Sequence, residues 1–173
     1  TIPLFVEAVK QGQPSGTFRA PNGERPDVTI TPIPRFDLLE FDAYAEMSVQ
    51  FSRGCPFQCE FCDIIVLYGR KPRTKAPEQL LKDLDYLYEL GWRRSIFMVD
   101  DNSIGNKRNV KLLLEALLPW MVEHKYPFSF ATEASVDLAN DQELMDMMVK
   151  CNFGAVFLGI ETPDEASLAL TQK

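Results

Sequence analysis

The chain has 173 residues, 46% of them hydrophobic and 25% charged, with a net charge of −7 at pH 7. That is enough chain for one domain with one sizeable core. No apolar run approaches the roughly 20 residues that span a bilayer, and the acidic balance argues against general nucleic-acid binding, which needs a basic face to displace counterions.

Residues 1–40 carry Pro3, Pro14, Pro21, Pro26, Pro32 and Pro34, together with Gly12, Gly16 and Gly23. This punctuation predicts an irregular lead-in or interdomain linker, with at most a short helix near Phe5–Lys10. Val28–Ile33 alternates enough for a weak edge strand, and Pro32 and Pro34 bar it from a central place. The start, Thr1-Ile2-Pro3-Leu4-Phe5, lacks both an initiator Met and the basic segment of a signal peptide. We therefore expect a piece of a longer, cytoplasmic protein. Four cysteines without an export signal favour metal or thiol chemistry over disulfides.

From Ala45 the pattern changes to strands alternating with helices. Met47, Val49 and Phe51 alternate with polar residues and lead into Arg53-Gly54-Cys55. Pro77 suits the first position of a helix carrying Leu80, Leu81, Leu84, Leu87 and Tyr88, and Gly91 is placed to end it. Ile96–Val99 reads as a buried parallel strand stopping at Asp100-Asp101-Asn102. A second helix presents Val110, Leu113, Leu114, Leu117 and Leu118, and Pro119 is expected to end or kink it. Phe128–Thr132 is the third strand. Asn140-Asp141-Gln142-Glu143 caps the next helix. Ala155–Ile160 is the fourth strand, and Thr162-Pro163-Asp164-Glu165 opens a last helix. Such alternation predicts a parallel sheet with right-handed crossovers, whose ligands bind beyond the carboxyl ends of the strands. Four strand ends carry polar or metal-binding residues to that rim: the cysteines, Asp100–Asn102, Thr132 with Glu133 and Ser135, and Glu161 with Thr162.

The most informative feature is Cys55-Pro56-Phe57-Gln58-Cys59-Glu60-Phe61-Cys62, a C-x3-C-x2-C run. Three thiolates in one loop are one short of the four that close a cluster or a zinc site. A structural zinc needs a fourth ligand, and the remaining candidates, His124 and Cys151, lie in helical or helix-end stretches. An iron–sulfur module that only carries electrons is a further reading.

The run, with Phe61 before its last cysteine, resembles the cluster loop of the radical S-adenosylmethionine (radical SAM) superfamily. The resemblance implies that Cys55, Cys59 and Cys62 hold a 4Fe–4S cluster. Its open iron would chelate the amino and carboxylate groups of S-adenosylmethionine. Reductive cleavage would then give a 5′-deoxyadenosyl radical that abstracts a substrate hydrogen. The implied fold class is α/β, a partial parallel (β/α) barrel with about four strands of a six-stranded core, truncated at the C-terminus. Residues 1–40 would be lead-in and 41–173 the N-terminal part of that core. The open sheet edge would either pair with another chain or be a liability.

Asp100, Asp101 and Asn102 fall where many members carry Gly-Gly-Glu, the segment that binds the methionine amino group. This chain departs from that pattern, although a carboxylate there can still accept from an ammonium. Gly159-Ile160-Glu161-Thr162 resembles the segment that lies against the ribose and methionine, which implicates Glu161 and Thr162. Glu133, in Ala131-Thr132-Glu133-Ala134-Ser135, sits at the matching strand end, where many members carry Arg. The one basic run, Arg70-Lys71-Pro72-Arg73-Thr74-Lys75, reads first as a solvated loop; an Arg in it would alternatively neutralise the cluster or the methionine carboxylate. These details resemble the cobalamin-linked subgroup, which includes hopanoid methylases and the anaerobic cyclase of chlorophyll synthesis. The resemblance implies methyl transfer to a small-molecule substrate, cobalamin held by a domain absent here, and an electron donor such as flavodoxin or ferredoxin. No nucleic-acid partner is expected, given the acidic net charge. A methylthiotransferase would carry further cysteines and a basic appended domain.

Overall fold

The structure, a computed structural model, describes residues 2–20 and 24–172; Pro21 and Gly23 of the lead-in lie outside these. Four strands, β1 (Glu46–Val49), β4 (Ser95–Met98), β5 (Ser129–Ala134) and β6 (Phe153–Leu158), form a parallel sheet in the order β1-β4-β5-β6. Two very short strands, β2 (Ser52–Arg53) and β3 (Arg73–Thr74), pair antiparallel beside it. Helices α3 (Pro77–Glu89), α4 (Lys107–Glu123) and α5 (Gln142–Lys150) make the crossovers. This is the α/β partial barrel expected from the sequence, and it is not closed.

The strand period of two sorts the side chains. Met47 and Val49 of β1, Ile96 and Met98 of β4 and Phe130 of β5 point to one face. There they share one core with Leu80, Leu84 and Leu87 of α3, Leu113 and Leu117 of α4, and Leu144 of α5. The apolar stripe of each helix is thereby buried on the sheet. The first and third positions of β1, Glu46 and Ser48, stay exposed on the opposite face.

Several expectations are corrected. Val28–Ile33 is not an edge strand: Val28–Ile30 forms a 3-10 turn, because Asp27 accepts from the Thr29 N–H at 2.9 Å and curls the chain. Helix α1 spans Ile2–Lys10, longer than expected, and none of its side chains is buried. Pro119 does not end α4, which runs on to Glu123 with Trp120 and Met121 buried, so packing outweighs the lost hydrogen bond. The fourth strand begins at Phe153, lies at one edge of the sheet and is largely exposed, with Phe157 at 69%. The last helix, α6 (Glu165–Leu170), is capped by Asp164 and not by Thr162: Asp164 accepts from the Ser167 N–H at 2.8 Å. Gly91 does end α3, at a φ of +91° that glycine adopts without strain.

The lead-in is partly tied to the core. Val28 and Phe36 are buried, and Gln79 of α3 donates to the Thr29 carbonyl at 2.7 Å.

Candidate active site

β2 and β3 act as a neck. Their pairing, Ser52 with Thr74 and Arg53 with Arg73, closes residues 54–72 into a single loop that contains all three clustered cysteines. Gly54 enters the loop at φ +99°, where a Cβ would lie 2.8 Å from the Gly69 carbonyl and 3.0 Å from that of Lys71. The Cys55 N–H donates to the same Gly69 carbonyl at 3.2 Å, and the Cys62 N–H to the Cys59 carbonyl at 3.1 Å. The short helix α2 (Ile64–Leu67) follows. Arg25 reaches from the lead-in to its carbonyls, at 2.8 Å for Val66 and 3.4 Å for Ile65 and Leu67. Behind the loop, the Glu60 N–H donates to the Thr171 carbonyl at the end of α6, at 2.9 Å.

Cys55, Cys59 and Cys62 are free and half-buried. Cys151 is separate: it is buried, its Sγ lies 3.5 Å from the Leu114 carbonyl, and burial pushes its thiol up to about 11. His124 stacks on Trp120 at the end of α4. Neither is brought to the three cysteines.

The adjacent acids at the end of β4 part company. Asp100 is fully buried, and its two oxygens accept from the backbone N–H groups of Phe51 at 2.8 Å and Ser52 at 2.9 Å. Burial raises its pKa to about 6 against the pull of those bonds. Its carboxylate therefore braces the chain entering the cysteine loop and does not line the cavity, contrary to the expectation of ligand contact. Asp101 does line the cavity, and its buried Oδ2 has no hydrogen-bond partner. Desolvation raises its pKa, opposed by its own backbone N–H and by Arg53.

Glu133 at the end of β5 and Glu161 beyond β6 reach the same cavity. Glu161 sits at φ +65°, a conformation that a non-glycine residue adopts at a cost. Phe61 lies on the wall and is more than half exposed. Thr162 turns away: its Oγ1 accepts from the Asp164 N–H at 3.2 Å, and it is not a lining residue. Thr132 is buried and donates to the Met98 carbonyl at 3.0 Å. Of the basic run, Arg73 donates to the Pro26 and Tyr68 carbonyls, and Lys75 forms a buried pair with Asp83 at 2.5 Å, so both are used within the scaffold. The sequence reading gave no role to Asp137, and neither Asn102 nor Ser135 was a primary ligand candidate; all three line the cavity.

The cavity has a volume of about 280 Å³. Thiols and carboxylates, with the Asn102 amide and the Ser135 hydroxyl, form its polar groups, and Phe57, Phe61, Val136 and Phe157 its apolar wall. Among the described residues, no three His, Cys, Asp or Glu side chains are gathered closely enough to hold a single ion. A zinc ion needs its ligands around one point, whereas a cluster takes each thiolate on a separate iron. Three spread thiols around an open cavity that the Asp101 carboxylate also lines therefore suit a cluster with a cationic ligand better than a zinc.

Residues 49–173 match the Radical SAM superfamily. An uncharacterized methyltransferase of Synechocystis sp. is 76% identical over the whole of this chain, which covers 32% of that protein. The hopanoid C-2 methylase of Rhodopseudomonas palustris is 43% identical over 87% of the chain and 28% of its own length. The chain thus spans less than a third of either relative. Among solved structures, the radical S-adenosylmethionine methyltransferase TsrM of Kitasatospora setae, with cobalamin and a 4Fe–4S cluster bound, superposes with a TM-score of 0.64. It is 15% identical, over 70% of this chain and 23% of that one, a likeness of fold. No helix among the described residues is long and apolar enough to cross a membrane.

Proposed function

This chain belongs to the Radical SAM superfamily, and we propose that it forms the S-adenosylmethionine-binding part of a radical enzyme that methylates a small molecule. Cys55, Cys59 and Cys62 would hold a 4Fe–4S cluster. When bound, that cluster supplies the electron that splits a carbon–sulfur bond of S-adenosylmethionine, giving methionine and a 5′-deoxyadenosyl radical. Asp101, which lines the cavity, accepts from the methionine ammonium through its carboxylate. Glu161 takes the ribose hydroxyls as donors, and Glu133 lies beside them. Phe57, Phe61 and Phe157 keep water from the reacting atoms. The observation that carries this reading is that one cavity gathers all three clustered cysteines with Asp101, Glu133 and Glu161.

The relatives suggest more for the whole protein. Cobalamin would be supplied by a part outside this chain, and an external donor such as flavodoxin or ferredoxin would reduce the cluster. The apolar wall suits an apolar substrate of the kind named in the hopanoid methylases.

The test is anaerobic reconstitution with iron and sulfide of the wild type and of Cys55→Ala, Cys59→Ala and Cys62→Ala, with metal analysis. The wild type should take up about four irons, and each variant should lose most of them. Stoichiometric zinc in place of iron, or equal iron in the variants, would refute the proposal.

A further inference from the structure

We infer that Asn102 is a positioning residue that holds a hydrogen-bond donor on the sulfur of Cys55 and so raises the reduction potential of the cluster bound there. This rests on the cluster reading above. Asn102 is 3% exposed. Its Oδ1 accepts from the Ser135 N–H at 3.3 Å, and its Nδ2 lies 3.1 Å from Ser135 Oγ and 3.7 Å from Cys55 Sγ.

An asparagine amide can be placed two ways round, and its surroundings decide between them. Here the decision is made by a group that can only donate. The Ser135 backbone N–H must meet Oδ1, which leaves Nδ2 toward the sulfur. Nδ2 has two hydrogens, one for Ser135 Oγ and one for Cys55. The serine hydroxyl has a single hydrogen, which goes to Asp137 Oδ1 in a short charge-assisted bond. Its oxygen is therefore an acceptor for Asn102. Asp137 is itself held by Lys107, whose Nζ lies 2.9 Å from its Oδ2 and 3.1 Å from its carbonyl. The relay Lys107–Asp137–Ser135–Asn102–Cys55 has one donor direction at each junction, and it ends as an N–H on sulfur.

A donor on a ligating sulfur stabilises the more negative, reduced cluster, and hydrogen bonds to sulfur are one of the protein's controls over potential. The effect is graded by substitution. Asn102→Asp keeps the shape and the acceptor for the Ser135 N–H but replaces the donor with negative charge. Asn102→Ala removes the donor. Ser135→Ala keeps the amide but removes the hydroxyl that steadies it.

The experiment is a redox titration of the reconstituted protein, followed by the electron paramagnetic resonance signal of the reduced cluster. Midpoints should become more negative in the order wild type, Ser135→Ala, Asn102→Ala, Asn102→Asp. Equal midpoints in the wild type and the Asn102 variants would overturn the inference. Should the Asn102 variants hold no cluster, an unmoved midpoint in Ser135→Ala would overturn it. A residue with a merely structural role would leave the midpoint of the neutral Asn102→Ala at the wild-type value. A wild type that takes up no iron would instead overturn the cluster reading, along with what rests on it.

Discussion

Asp100→Asn removes a buried charge while keeping the side chain's shape. The wild-type carboxyl is raised from 3.8 to about 6, with burial as the largest cause, although two backbone N–H groups favour its ionised form. A folded-state pKa above the unfolded value means that the folded chain holds the proton more tightly. The associated stability is fully present below pH 3.8 and is lost as pH rises through about 6. At 1.36 kcal/mol per unit this amounts to about 3 kcal/mol, of which roughly half is lost between pH 5 and 7.5. The other carboxylates titrate alike in both proteins, so the difference in unfolding free energy isolates this group. Urea unfolding of the iron-free proteins, followed by the fluorescence of Trp92 and Trp120, should show wild type minus Asp100→Asn falling with pH and flat above about pH 7. A difference that stays constant, or rises with pH, would refute the reasoning: the two N–H bonds would then outweigh the burial.

Asp101→Asn should leave urea stability within about 0.5 kcal/mol of wild type, because the unpartnered Oδ2 contributes no bond to the fold. Calorimetry should show S-adenosylmethionine binding weakened by about tenfold or more, the loss of one charged hydrogen bond. Gly54→Ala forces a Cβ to 2.8 Å from the Gly69 carbonyl at a left-handed φ; iron content after reconstitution should fall to a small fraction of wild type. Lys75→Met strands the buried Asp83 carboxylate and should cost about 3–5 kcal/mol in denaturation, much of it recovered by adding Asp83→Leu.

The main outline was legible because periodicity is a physical signal. Met47 and Val49, then Ile96 and Met98, alternate so that one face of the sheet is apolar, and the cysteine loop follows the first strand directly. What was not legible depended on turns. Asp100 and Asp101 are neighbours of one chemical type, and the bend after β4 decides that one meets the Phe51 and Ser52 N–H groups while the other meets the cavity. No local pattern encodes that choice. The Asn102–Ser135–Asp137 network joins two loops separated by 33 positions in sequence, which only the parallel register of β4 and β5 brings together. Pro119 does not stop α4 for a related reason: its local preference is real, but Leu117, Trp120 and Met121 are packed deeply enough to carry the helix past it.

The most direct test of the central claim is the electron paramagnetic resonance spectrum of the reconstituted, reduced protein with and without S-adenosylmethionine. A cluster signal whose g values shift on addition of S-adenosylmethionine is the predicted result, since under the proposed function the ligand would occupy the iron that lacks a thiolate. A cluster signal identical in both samples would contradict the account and leave an electron carrier in its place.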